Sequence, residues 1–165
     1  MDVLWSPWRH QYVTSGQTQQ PPGCVFCYLA TSTAPEFDAA HFVLFRGQHN
    51  FVLLNLYPYT TAHLMIVPYA HEAELTALAK PVSDEMMDLA KHAQSAIGQV
   101  YHPDGYNVGM NLGSAAGAGV AAHLHLHLLP RWQGDANFMT TVGETRVLPE
   151  ALADTYLKLK NHFGA

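Results

Sequence analysis

Charge is scarce in this chain. Only 13% of its 165 residues are Asp, Glu, Lys or Arg, and just eight are basic. No basic block is present. That excludes a broad nucleic-acid-binding face, which has to neutralise several phosphates with Lys and Arg. Long hydrophobic runs are missing too, so no segment reaches the length of a membrane span. The first residues, Met1 to Tyr12, carry Trp5, Pro7, Trp8 and Arg9 where a leader would show a basic and then an apolar region. The expected location is therefore cytoplasmic. Cysteine is limited to two residues, in the run Cys24-Val25-Phe26-Cys27. In a reducing compartment that spacing points to metal or redox chemistry rather than to a structural disulfide.

What is present is apolar matter and histidine. The hydrophobic content is 48%, with eleven histidines and a formal charge of −5. This composition and length suit one domain, residues 1–165, with residues 1–23 as an N-terminal arm. Residues 31–38 read as a loop. His41–Arg46 and Asn50–Asn55 read as strands of a hairpin turning at Gly47-Gln48-His49. His63–Val67 is a short strand ending at Pro68. Ser83 to Val100 has the clearest helical pattern, with Ser83 as N-cap and Met86, Leu89, Ala90, Ala93 and Ile97 on one stripe. Tyr106–Leu112 reads as a strand, and Pro149–Phe163 as a terminal helix. Hairpins beside one long crossover helix predict an α+β domain with a mostly antiparallel sheet of about five strands.

The most informative run is His123-Leu124-His125-Leu126-His127-Leu128-Leu129-Pro130-Arg131. Read as a strand, it puts the three histidines on one face and the leucines on the other. Neighbouring imidazoles then stand roughly 6–7 Å apart by strand rise. Imidazole serves as nucleophile, acid, base or metal ligand near neutral pH. The run is fed by Asn111-Leu112-Gly113-Ser114-Ala115-Ala116-Gly117-Ala118-Gly119. Its small residues let backbone N–H groups approach an anion, and Asn111 adds an amide. Arg131 is placed to pair with a carboxylate or a phosphate. His10, His41, His49, His63, His92, His102 and His162 have no patterned partners and read as surface or ordinary polar residues.

His123–Pro130 resembles the His-x-His-x-His-x-x signature of the histidine triad superfamily of nucleotidyl hydrolases and transferases. Asn55-Leu56-Tyr57-Pro58-Tyr59, Gly105–Gly113, Pro130–Phe138 and the Trp5-Ser6-Pro7-Trp8-Arg9 arm are similar to one branch. That branch is the bacterial diadenosine tetraphosphate phosphorylase, or ATP adenylyltransferase-like, group. The resemblance implies that His125 attacks the α-phosphorus of a nucleotide and forms a nucleotidyl-histidine, splitting one displacement into two. His127 and the loop residues Asn111, Gly113, Ser114 and Gly119 would hold the phosphate oxygens. It also implies a structural zinc held by Cys24, Cys27, His71 and His123. Many superfamily members carry Asp for the ribose hydroxyls where this chain has Asn55. Phe26 and Leu53 could flank the base, and Trp132 could stack on a second one. A homodimer joined around the helix near Ser83 is implied as well.

This chain departs from its relatives just before the first histidine. Ala118-Gly119-Val120-Ala121-Ala122 offers no hydroxyl or amide side chain where many relatives have Gln and Ser. Water and inorganic phosphate both stay open as acceptors. Two other readings stand beside phosphorolysis or hydrolysis of dinucleoside polyphosphates. One is a nucleoside phosphoramidase or general nucleotide hydrolase. The other is a nucleotide- or zinc-binding module with little catalysis.

Overall fold

The structure, a computed structural model, describes residues 23–136, 142 and 150–164. The Trp5–Arg9 arm lies outside these residues. Five strands form one antiparallel sheet: β1 (Val43–Arg46), β2 (Asn50–Leu54), β3 (Leu64–Pro68), β4 (Gly105–Met110) and β5 (Leu126–Arg131). Their spatial order is β1-β2-β3-β5-β4, so the histidine-bearing strand is internal. Among the described residues four α-helices accompany them: α1 (Val25–Leu29), α2 (Pro35–Ala40), α3 (Lys80–Tyr101) and α4 (Leu152–Phe163). The α+β class, the long crossover helix and the terminal helix are as expected. No helix among the described residues is long and apolar enough to cross a membrane.

Each face of the sheet has its own core. On one face, Leu124, Leu126 and Leu128 join Leu64, Ile66, Val52 and Leu54 beneath Met86, Leu89, Ala93 and Ile97 of α3 and Tyr156, Leu159 and Phe163 of α4. The opposite face packs Val43, Phe51, Leu53, Met65 and Val67 against Phe26 and Leu29 of α1. Burying side chains of this size stabilises by about 1.5–3 kcal/mol each.

The hairpin turns at Gly47-Gln48-His49 as predicted, and α3 clasps it. The Glu85 carboxylate accepts from the Gln48 amide (2.6 Å), the His49 amide (2.7 Å) and Asn50 Nδ2 (2.8 Å). A Cβ on Gly47 would sit 2.7 Å from Glu85 Oε1. Glycine is therefore what lets the helix close on the turn.

Most boundaries shift by one to three residues from the sequence reading, and three differences matter to the site or the packing. Helix α3 begins at Lys80 with Ala79 as its cap residue, not at Ser83. Pro81 in the first turn starts it, since its fixed φ is helical and its missing N–H is one the helix leaves unpaired anyway. Ser83 lies inside that turn and donates to the Lys80 carbonyl at 2.9 Å. Residues 35–40 are helical where a loop was expected, again opened by a proline, Pro35. Strand β5 starts only at Leu126, so His123 and His125 precede the ladder.

Candidate active site and metal centre

Strand β5 sits between Gly109 and Met65: both are register partners of His127. Met65 belongs to the α1-side core. A Cβ on Gly109 would meet nothing within 4 Å, so the space beside His127 is open. Continuing the β4–β5 register past Met110↔Leu126 brings Asn111 level with His125. The three triad histidines are buried, at 0, 5 and 8% exposure for His123, His125 and His127. The His125 and His127 rings lie 4.7 Å apart, edge to face. That is closer than strand rise alone predicts, because the two rings lean together. Phe26 packs on the row, with its ring 5.3 Å from His123 and 5.0 Å from His125.

Partners fix the tautomer of each ring. His125 Nδ1 lies 2.9 Å from the His123 carbonyl oxygen, which can only accept. Neutral His125 therefore carries its proton on Nδ1 and keeps its lone pair on Nε2. His123 Nε2 likewise donates to the Pro68 carbonyl at 2.9 Å, leaving the Nδ1 lone pair free for another partner. Burial pushes both pKa values below the ordinary imidazole value, while these carbonyl bonds pull the other way. His127 is pushed down to about 4, by burial first and His125 second.

His63 is the residue that sequence reasoning missed. The sequence suggests an ordinary polar side chain, yet it is 1% exposed and its Nε2 lies 2.9 Å from His127 Nδ1. The Tyr59 amide donates to His63 Nδ1 at 3.1 Å, so that nitrogen bears a lone pair. Neutral His63 then holds its proton on Nε2 and donates to His127 Nδ1. His127 in turn carries its own proton on Nε2. The row thus presents a lone pair on His125 and a proton on His127. A histidine opening a fully buried strand was the available signal, but its partner stands 64 residues away.

Cys24, Cys27, His71 and His123 converge on one point, with all four ligand atoms within 4.8 Å of one another. His123 Nδ1 is 3.2 Å from Cys24 Sγ and 3.7 Å from Cys27 Sγ, and His71 Nδ1 is 3.1 Å from Cys27 Sγ. Ligand atoms around a tetrahedral zinc stand roughly 3.3–3.8 Å apart, given bond lengths of about 2.0–2.3 Å. The donor set therefore fits zinc. The Pro68 carbonyl completes it by holding the His123 tautomer that a metal requires. Cys24 caps α1 and Cys27 lies within it, so this short helix carries both sulfurs.

The remaining predicted residues are more dispersed. Gly113, Ser114 and Gly119 are exposed and Asn111 is half-buried, in the loop between β4 and β5. Gly113 has φ +77°, a conformation that favours glycine. Asn55 lies beside the relay: its Oδ1 accepts from the Tyr57 amide at 2.9 Å and its Nδ2 is 3.3 Å from His63 Nδ1. Phe26 and Leu53 are both buried in the α1-side core. Arg131 pairs with a carboxylate, Asp135, and also donates to Asn107 at 2.8 Å. Trp132 is tied to the end of α3 through its Nε1 and the Tyr101 carbonyl, at 3.4 Å.

Residues 36–134 match the HIT domain model, and the chain belongs to the histidine triad family. An AP-4-A phosphorylase of Mycobacterium tuberculosis is 40% identical over 159 residues, covering 92% of this chain and 79% of that protein. The chain thus falls in the AP-4-A phosphorylase-like branch of the family. An adenosine 5'-monophosphoramidase of Saccharomyces cerevisiae is 28% identical over 124 residues, 73% of this chain and 72% of the relative. The crystal structure of a Zn-bound histidine triad family protein from Mycobacterium smegmatis superposes with a TM-score of 0.68 at 26% identity. It covers 86% of this chain and 93% of its own.

Proposed function

We propose that this protein is a nucleotidyl hydrolase or transferase acting on the α-phosphate of dinucleoside polyphosphates or related adenine nucleotides. One observation carries the reading: the His123 carbonyl holds the Nδ1 proton of His125, which leaves the Nε2 lone pair free. That lone pair attacks the α-phosphorus, a P–N bond forms, and the P–O bond to the leaving polyphosphate breaks with its electron pair. The His127 Nε2–H donates to a phosphate oxygen where charge gathers. Asn111 and the backbone of Gly113, Ser114 and Gly119 complete the cradle. Asn55 retains one amide hydrogen and one lone pair for the ribose, and Trp132 stacks on a second base. Water or inorganic phosphate then takes the nucleotidyl group from His125.

Zinc at Cys24, Cys27, His71 and His123 would be structural, because four protein ligands leave no position for substrate. Bound there, it supplies charge neutralisation for the two sulfurs and fixes His123. His123 serves catalysis only through its carbonyl hold on His125. We further propose one domain over the whole chain, a cytoplasmic setting consistent with two cysteines that form no disulfide, and a homodimer. Exposed Val108 on the edge strand β4 and exposed Met87 on α3 support the last reading.

Product analysis with diadenosine tetraphosphate tests the proposal. ADP plus ATP formed only when phosphate is added marks phosphorolysis, and AMP plus ATP marks hydrolysis. His125→Ala is expected to cut kcat at least about ten-thousandfold while nucleotide binding survives. Undiminished turnover in that variant refutes the nucleophile. The phosphoramidase reading rests on the yeast relative, and turnover of an adenosine phosphoramidate with none of diadenosine tetraphosphate would favour it.

A further inference from the structure

Three chain segments deliver the Cys/His cluster, and one side chain outside it reaches two of them. Helix α1 carries Cys24 at its cap and Cys27 within it, yet it has only five residues and no side-chain cap at its start. A helix that short does not hold itself in water, where even about 12 residues are marginal. Its apolar anchors are Phe26 and Leu29. A further anchor is polar. Arg46, in the edge strand β1, donates from Nη2 to the Leu29 carbonyl at 2.9 Å. That carbonyl is one of those a helix end leaves unpaired.

Helix α2 holds the guanidinium in turn. Arg46 Nε donates to Asp38 Oδ1 at 2.9 Å and Nη2 to the same oxygen at 2.6 Å. Both side chains are 11% exposed. Such a pair is weak evidence of stabilisation, because taking two charges out of water costs much of what their attraction returns. The planar fork does something a lysine could not: it meets a carboxylate and a carbonyl at once. Arg46 also lies over the Phe51 ring at 5.6 Å. That ring stacks with Tyr69 at 5.4 Å, two residues before His71.

We propose that Arg46 is a positioning residue for the metal centre. It ties the end of α1 to the sheet, so that Cys24 and Cys27 face His71 and His123 whether or not zinc is bound. The effect on metal affinity rests on the zinc reading above; the tether itself does not.

Two variants separate the tether from the ion pair. Asp38→Asn removes the carboxylate charge and keeps the bond from Arg46 to the Leu29 carbonyl. Asp38→Asn combined with Arg46→Met removes both, without stranding a buried charge that could unfold the chain. The probe is zinc alone, titrated into each metal-free full chain in competition with a chromophoric chelator. Hydrogen exchange of the Tyr28 and Ala30 amides is measured before zinc is added. These amides close α1 onto the Cys24 and Phe26 carbonyls. The double variant is expected to bind zinc about 10–100-fold more weakly, the scale of a lost support behind metal ligands. Its two amides are expected to exchange at least about tenfold faster, as a locally loosened helix does. Asp38→Asn alone is expected to leave affinity and exchange close to those of the unsubstituted chain. Thermal melts of the metal-free chains supply the control. An ion pair with a merely structural role predicts that both variants melt lower and lose zinc affinity equally. That result, or a double variant that binds zinc as tightly as the unsubstituted chain, overturns the proposal. Should the unsubstituted chain bind no zinc, the metal reading fails, while amide exchange in the double variant still decides the tether.

Discussion

Leu128 and His127 are neighbours in one strand, yet the two faces they occupy are held by opposite means. The leucine face is area: Leu124, Leu126 and Leu128 pack into a core shared by α3, α4 and four strands, with no polar partner required. The histidine face is direction: each buried ring has a specific donor or acceptor that fixes which of its nitrogens carries the proton. Dispersion and hydrophobic burial are indifferent to orientation, whereas a hydrogen bond fixes which nitrogen carries a proton. Stability should therefore reside mostly on one face and turnover on the other.

The largest effect expected on that contrast comes from Leu128→Ala. Leu128 is fully buried, so truncation should cost about 3–5 kcal/mol. Activity per folded molecule should be nearly normal. His125→Ala should cost only about 1 kcal/mol, the scale of one net hydrogen bond. Urea titration of both variants decides. Equal destabilisation would collapse the distinction between the faces.

Acid should unfold the protein through the histidine face. His127 titrates near 4 when folded, against 6.5 for an ordinary imidazole. As the pH falls through 6.5 the unfolded chain takes up a proton that the native chain refuses until about 4. Stability is thus complete above 6.5 and declines through that window by about 3 kcal/mol, from a shift of 6.5 to about 4. His127→Gln should flatten the decline in a series of melts at fixed ionic strength. A melting temperature indifferent to pH over that range would show that the ring is charged in the fold.

Metal withdrawal tests the link between helix α1 and the histidine face. With zinc present at a hundred times its Kd, chelation should remove about 2.7 kcal/mol of stability. Turnover should fall with it, since the His123 carbonyl that holds His125 belongs to a residue whose ring faces the two sulfurs. Cys24→Ser should reproduce the loss, and a chelator should then add nothing. Metal analysis of the purified chain, together with melts, tests both statements.

The leucine face was legible in the sequence because alternation is a local pattern. The long helix was legible for the same reason, from the recurrence of Met86, Leu89, Ala93 and Ile97. Both short helices were not. Cys24 and Ala34 cap them without a side-chain hydrogen bond, so the usual Ser, Thr, Asp or Asn signal is absent. The zinc-type cluster became visible only through resemblance, for its four residues span a hundred positions, Cys24 to His123. His63 escaped notice because its meaning lies wholly in pairs formed on folding: a Tyr59 amide on one side and His127 on the other. Local periodicity reports which face a residue occupies, and it says nothing of which way a proton points.

His102 sharpens the contrast from outside both faces. It is exposed, and it ends α3 in the left-handed conformation with φ +47° and ψ +54°, its amide donating to the Gly98 carbonyl. Here histidine serves neither area nor relay. A side chain in that conformation costs roughly 1–2 kcal/mol, which glycine avoids, while glycine's greater freedom in the unfolded chain takes back about 0.5–1. His102→Gly should therefore raise stability by about 0.5–1 kcal/mol and leave kcat and KM unchanged, because a C-terminal glycine closes a helix without a Cβ penalty. Thermal melts resolve a gain of that size. A loss would mean that the His102 imidazole makes a stabilising contact of its own, and a change in kcat would extend the histidine relay to the end of the crossover helix.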